Sequence, residues 1–234
     1  MKKISSKIKK GKLIVIDGSD SSGKATQTAR LVAQLKKEGY KVATIDFPRY
    51  YDSFYGKMIA RYLRGEFGPV DKVNPYFASL LYAGDRFLFR DKIKNWLNAG
   101  RIVIVDRYVS ANMIHQTAKL KKEKEKNEFL KWLETLEFEI NKIPRPDLVI
   151  YLYVPVKILL ELKKRRKGKK YLKKAKDIHE TNVWYLKKVE EQALALARRF
   201  RDWKMINCVK AGQLLEIETI HREIFELVKN VLSS

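Results

Sequence analysis

The stretch KLIVIDGSDSSGKAT, residues 12–26, constrains this chain more than any other. KLIVID is a short apolar, β-branched run that stops at Gly18, the pattern of a buried strand. A helical pattern opens at Lys24 and runs to Glu38, with Ala29, Leu31, Val32 and Leu35 on its apolar side and Gly39 as its stop. The loop between them nearly spells G-x-x-x-x-G-K-[S/T], a phosphate loop. Its small residues Gly18, Ser19, Ser21, Ser22 and Gly23 let the backbone curl until its N–H groups face inward; with the helix N-terminus they make an anion cradle. Lys24 is placed to reach the outer phosphates of a nucleotide. Ala25, followed by Thr26, departs from the pattern, because a hydroxyl at that position normally touches Mg2+.

The alternation continues along the chain. VATIDF (42–47), RIVIVD (101–106), LVIYLYV (148–154) and KMINCV (204–209) read as further strands. Helical patterns cover 55–63, a long segment 75–98 opened by Pro75, then 126–140, a helix running into the 163–176 segment, 177–200 and 216–231. Strands alternating with helices predict an α/β fold, a five-stranded parallel sheet covered on both faces. No repeat or linker divides the 234 residues, so a single domain over 1–234 is expected.

The net charge is +23, which fits a polyanionic partner: nucleic acid, an anionic membrane or a phosphorylated small molecule. It concentrates in 163–176, KKRRKGKKYLKKAK, where ten residues are Lys or Arg. The mixed run 119–126 reads as solvated surface. MKKISSKIKK is basic with only the four apolar residues 13–16 nearby, too few for a signal peptide or a membrane span. With the single Cys208, this predicts a soluble cytoplasmic protein. His115, His179 and His221 lack metal spacing.

Parallel sheets bind ligands at the carboxyl ends of their strands. Strand three ends in Asp106-Arg107: the acid is a candidate for the metal shell, the cation for phosphate oxygens. Strand two ends in DFPRYYDS (46–53), where a Phe-Pro wall beside Arg49 and Tyr50 reads equally as a ring-and-phosphate site or as an ordinary hydrophobic turn. Asp85-Arg86 interrupts the apolar stripe of 75–98, either as a structural ion pair or with Arg86 reading a base.

These residues resemble the thymidylate kinase family, phosphate-loop nucleoside monophosphate kinases with a helical lid. The resemblance spans nearly the whole chain. It rests on Asp20 with Thr26-Gln27, FPRY (47–50), YAGDR (82–86), DRYVSAN (106–112), PRPDLVIYL (144–152) and KDIHETNVWYLKKVEE (176–191). It implies transfer of a phosphoryl group from ATP to dTMP, giving dTDP and ADP, with Mg2+. Residues 18–26, Lys24 included, hold ATP in that picture, and Asp20 lies between the nucleotides near the metal. Tyr82 stacks on thymine, Arg86 bonds its carbonyl edge, and Phe47 and Pro48 wall the ring. Arg49 of the same loop is counted among the dTMP-binding residues, Arg107 and Tyr50 address the dTMP phosphate, and Asn112 and His115 line the sugar side. The run 163–176 becomes a lid bringing Arg165 or Arg166 to the transferred group, with Asp177 and Glu180 orienting it. The family's usual state is a homodimer packed through helices. Two other readings remain at this stage: another nucleoside or nucleotide kinase on the same core, and a basic nucleic-acid-binding phosphate-loop protein without kinase activity. Ala25 also raises the question of a retired loop.

Overall fold

The computed structural model describes residues 10–164 and 182–233. Five strands form one parallel sheet: β1 (Leu13–Gly18), β2 (Val42–Asp46), β3 (Ile102–Asp106), β4 (Leu148–Tyr153) and β5 (Trp203–Asn207), in the order β2-β3-β1-β4-β5. Central β1 pairs Val15 with Val105 on one side and with Val149 on the other. All six of its residues are buried, as a strand covered on both faces requires.

Alternation along each strand divides the core. Leu13, Val15, Val103, Val105, Val149 and Tyr151 face one layer of helices: α4 (Arg90–Asn98), α5 (Val109–Thr117), α6 (Glu123–Glu134) and α8 (Val183–Arg199). Ile14, Ile16, Ile104, Ile150 and Leu152 face the other layer: α1 (Lys24–Lys37), α7 (Val156–Lys164) and α9 (Ile217–Ser233). Helices α2 (Phe54–Leu63) and α3 (Pro75–Leu88) pack on each other around Ile59, Tyr62, Leu63 and Ala78, beyond the ends of β2 and β3. A short hairpin, β6 (Val209–Lys210) with β7 (Gln213–Leu214), precedes α9.

The expected fold class is observed, with several corrections to its parts. The single helix expected over 75–98 is two helices. Phe89 leaves helical geometry at φ −105°, ψ 4°, and its ring meets Phe47 edge-on at 6.0 Å, so tertiary packing breaks a pattern that carries no Gly or Pro at that point. The two pieces then face different ways: Phe77, Leu80, Phe87 and Leu88 of α3 are exposed, while Ile93 and Leu97 of α4 are buried. Helix α5 was not anticipated. The helix expected over 126–140 begins at Glu123 and ends in a π-helical turn, Thr135–Ile140. The fifth strand stops at Asn207, and Val209 belongs to the hairpin. The basic run 163–176 called as a lid, with Arg165 and Arg166, and also Asp177, His179 and Glu180, falls outside the described residues, apart from Lys163 and Lys164 at the end of α7.

Candidate active site

Strand β1 delivers the loop that follows it. Gly18 adopts φ +146°, and a Cβ there would lie 2.7 Å from the Leu152 carbonyl oxygen and 2.8 Å from Ser22 Oγ, so only glycine fits against β4. Gly23, at φ +89°, turns the loop into α1. Ser21 also adopts a positive φ of 71°. The Ser21 and Ser22 hydroxyls have no hydrogen-bond partner among the described residues. Lys24 folds back over its own loop: Nζ donates to the carbonyls of Gly18 and Ser19, each at 2.9 Å, with Asp20 at 3.7 Å. Burial, with Arg107 nearby, lowers its pKa to about 8 against the opposing pull of Asp20, Asp106 and Asp17.

A cavity of about 750 Å³ extends from this loop across the ends of β2 and β3. The loop contributes Ser19, Asp20, Ser21, Gly23, Lys24, Ala25 and Thr26 to its wall; Gly18 and Ser22 lie behind it. Phe47, Pro48 and Tyr50 line it after β2, Tyr82 and Arg86 from α3, Asp106 and Arg107 after β3, and Asn112 and His115 from α5. The sites expected separately from the strand ends therefore share one space. Arg49 does not line it: its guanidinium pairs with Asp46 and Asp52 and lies over the Phe89 ring. Leu63, Leu159, Leu162, Leu186 and Val189 supply apolar wall.

Arg107 holds the centre. Its backbone sits at φ +64°, a strained conformation for a side-chain-bearing residue. Its Nη2 donates to Asp20 Oδ1 at 2.6 Å, and Nη1 lies 3.9 Å from Asp17. Burial opposes its charge, but Asp20, Asp17 and Asp106 outweigh it and keep the guanidinium protonated. Asp17, buried beneath the loop, accepts from the Gly18 N–H at 2.8 Å and from Ser110 Oγ at 2.6 Å, which fastens α5 to β1.

Asp106 makes no ion pair or side-chain hydrogen bond among the described residues. Burial raises its pKa, while Lys24 and Arg107 pull it down. A carboxylate facing the cavity and not ion-paired among the described residues suits a hard cation shared with phosphate oxygens. Asp20, the other expected metal residue, already faces two cations, Arg107 and Lys24. Among the described residues no cluster of three or more His, Cys, Asp or Glu side chains could hold a metal by itself. With the described residues alone, a metal here would take most of its ligands from substrate and water.

Tyr82 stands edge-on to the buried Tyr62, ring centroids 6.4 Å apart. The buried pair Asp85-Arg86 is not an ion pair with itself. Asp85 accepts from Ser53 Oγ and from the Arg49 N–H, whereas Arg86 is held by Glu137 of the π turn. His115 lies 3.2 Å from Tyr185 Oη through Nδ1, and Tyr185 donates to its carbonyl at 2.9 Å. Burial, followed by the charge of Arg107, pushes its pKa down to about 3, so it is neutral near pH 7.

Residues that sequence reasoning missed complete the wall. Gln116 is fully buried and lines the cavity, and neither its amide oxygen nor its nitrogen has a partner among the described residues. Asn112, one turn earlier, shows the same vacancy at both atoms. The i, i+3, i+4 spacing of Asn112, His115 and Gln116 was the available signal, had α5 been recognised as a helix. Glu137 gave no signal, because its local sequence reads as an ordinary surface helix.

With this geometry in place, comparison with known proteins decides the family. The thymidylate kinase family model matches residues 16–224. The chain belongs to the thymidylate kinase family. A probable thymidylate kinase of Thermococcus onnurineus is 36% identical over 225 residues, covering 94% of this chain and 98% of that protein. The thymidylate kinase of Mycobacterium tuberculosis is 32% identical over 154 residues, 66% of this chain and 71% of that one. The solved thymidylate kinase of Candida albicans superposes with a TM-score of 0.70 at 25% identity, covering 95% of this chain and 94% of that one. The nucleic-acid-binding alternative is not favoured.

Proposed function

We propose that this thymidylate kinase homologue transfers the γ-phosphoryl group of ATP to dTMP, giving ADP and dTDP. The observation that carries the reading is one shared cavity: a phosphate cradle at one end, and an aromatic ring, a fixed guanidinium and two amides with no partner among the described residues at the other. The bond from the γ-phosphorus to the β–γ bridging oxygen breaks. A bond to a phosphate oxygen of dTMP forms, and ADP leaves with the bridging oxygen. Such a transfer needs positioning and charge neutralisation more than covalent chemistry.

The loop 18–26 holds the ATP phosphates through its amides, and Lys24 leaves the Gly18 and Ser19 carbonyls to meet them. Arg107 and Tyr50 take the dTMP phosphate, with Asp20 fixing the guanidinium between the two substrates. Tyr82 stacks on the base with Phe47 and Pro48 beside it. Arg86 donates to a base carbonyl, Asn112 and Gln116 satisfy their amides on the nucleoside, and neutral His115 packs by the sugar. Arg49 steadies this wall from behind rather than touching the ligand. Asp106 would hold Mg2+, with Asp20 a second carboxylate once it gives up a cation. When bound, Mg2+ would neutralise charge on the ATP phosphates.

The exposed stripe Phe77, Leu80, Phe87 and Leu88 on α3 suits a second copy of the chain, giving a homodimer. No described helix is long and apolar enough to cross a membrane; we place the enzyme in the cytoplasm, as one domain over 1–234.

The test is ADP release with ATP, Mg2+ and a panel of nucleoside monophosphates. dTMP should exceed dUMP modestly, since one methyl in an apolar pocket is worth about 1–3 kcal/mol. dCMP should fall further, because its amino group points a donor at Arg86, which only donates. Equal kcat/KM for dTMP and dCMP would remove this reading of Arg86.

A further inference from the structure

Glu137 is fully buried, yet it stands on the last turn of a helix that looks like a surface element in sequence. The π turn is what brings it inward. From Thr135 the helix widens, the Asn141 N–H reaches back five residues to the Leu136 carbonyl at 2.9 Å, and the Glu137 carboxylate meets Arg86. Insertions of this kind recur at functional sites.

The contacts around Arg86 are specific. Its Nε donates to Glu137 Oε1 at 3.1 Å, and Nη2 donates to the same oxygen. Its Nη1 donates to the Tyr108 carbonyl at 3.3 Å. A guanidinium carries five N–H groups; with three so placed, two are left among the described residues, one on each terminal nitrogen. Arg86 also lines the cavity. The backbone just after the π turn holds the same framework, since Tyr108 Oη donates to the Pro144 carbonyl at 3.0 Å. The Tyr108 ring then supports Phe47, centroids 6.1 Å apart. Arg86, Tyr108 and Phe47 are thus fixed from one segment that never lines the cavity itself.

We propose that Glu137 is the positioning residue for base recognition: delivered by the π turn, it locks Arg86 so that only its two outer N–H groups face the base, and thereby sets selectivity for a pyrimidine that presents a carbonyl oxygen there. This rests on the reading of Arg86 given above. A buried arginine without its carboxylate would keep its charge, lose its orientation and seek other acceptors. Glu137 touches no substrate, so its removal should weaken the binding of dTMP and leave that of ATP alone.

The experiment uses the full chain with Glu137→Gln, Glu137→Leu, Arg86→Leu and the double variant, each verified as folded by circular dichroism. Glu137→Gln keeps the shape and removes the charge. Both Glu137 variants should raise the dTMP KM by about tenfold, the scale of a hydrogen bond to a charged group, with a smaller fall in kcat. The ATP KM should stay within about twofold and the dTMP-over-dCMP preference should shrink, as for a loss confined to base recognition. In the Arg86→Leu background, Glu137→Leu should add less than about twofold, as coupled residues do. A folded Glu137→Gln with wild-type dTMP KM and wild-type preference, beside an Arg86→Leu that loses both, overturns this proposal and leaves the reading of Arg86 standing. If Arg86→Leu itself keeps the preference, that reading fails and the proposal falls with it. Should the Glu137 variants not fold, wild type decides. The Arg86 Nε–H resonance, assigned through its own backbone, should exchange slowly with water and shift on addition of dTMP. Exchange as fast as that of exposed arginines overturns the proposal.

Discussion

Arg107 donates to Asp20 across 2.6 Å, although one residue follows β3 and the other lies in the loop after β1. The contact joins the two adjacent strand ends at which ATP and dTMP would present their phosphates, and it holds a strained arginine in one orientation. Arg107→Ala should lower kcat/KM for dTMP by about 100-fold, the scale of losing hydrogen bonds to a charged group. Asp20→Asn keeps the shape but frees the guanidinium, and should cost less. Steady-state kinetics on both variants is the check; an Arg107→Ala enzyme with wild-type kcat/KM would move phosphate recognition elsewhere.

The two buried amides of α5 make a second expectation. Unpaired polar atoms in a buried wall cost stability until a ligand pairs them. Gln116→Leu should therefore hold or raise the melting temperature of the free protein while raising the KM for dTMP. Asn112→Leu should behave alike. Thermal melts with and without dTMP measure both sides: the dTMP-induced rise in Tm should shrink in each variant. A variant that is destabilised and still binds dTMP normally would make these amides structural.

What the sequence showed and what it hid follow from where the signal sits. Strands β1 to β4 and helix α1 were legible because each buries apolar residues beside an abrupt stop, as Leu13–Gly18 and Gly39 do, whereas β5 buries only Trp203 and Ile206. The candidate residues at the ends of β1, β2 and β3 were legible because topology sends them to one edge of the sheet. Helix α5 was not, because its buried positions include polar residues: Asn112 and Gln116 line the cavity, Ser110 donates to Asp17, and Thr117 donates back to the Met113 carbonyl. The break at Phe89 follows from its contact with Phe47, forty-two residues earlier, and no local residue announces it. Glu137 needed both the π turn and a partner on α3.

The depressed pKa of His115 gives a pH expectation. Its ordinary value of 6.5 falls to about 3 in the fold, chiefly through burial. Between those values the unfolded chain binds a proton that the folded chain refuses, so stability falls as pH drops through that window and the contribution is flat above it. His115→Gln removes this term. Urea midpoints at pH 7.5, 6.0 and 5.0 should decline more steeply for wild type than for the variant. Parallel declines would mean that His115 takes a proton in the fold without penalty.

Ala25 leaves the last question, whether a loop without its hydroxyl still works with a metal. Mg2+ keeps several waters and binds through few protein groups when phosphates supply the rest, so one lost oxygen can be replaced by water. The chain keeps the other parts. Asp106 lines the cavity and makes no ion pair or side-chain hydrogen bond among the described residues, and Lys24 sits over the loop that opens into the α1 N-terminus, where most of the phosphate binding arises. Thr26 lies one residue further along α1, at a different helical angle, and does not stand in for the missing ligand. Ala25→Ser should therefore shift the Mg2+ concentration for half-maximal activity only slightly. Asp106→Asn should raise it by about tenfold or more, and Lys24→Ala should raise the KM for ATP and depress kcat together. Mn2+ titration followed by electron paramagnetic resonance, with ATP present, reads the metal independently of turnover: wild type and Ala25→Ser should bind alike and Asp106→Asn more weakly. A wild type that is inert with ATP, dTMP and Mg2+, and that Ala25→Ser brings to life, would show that the loop has lost its function through this one substitution.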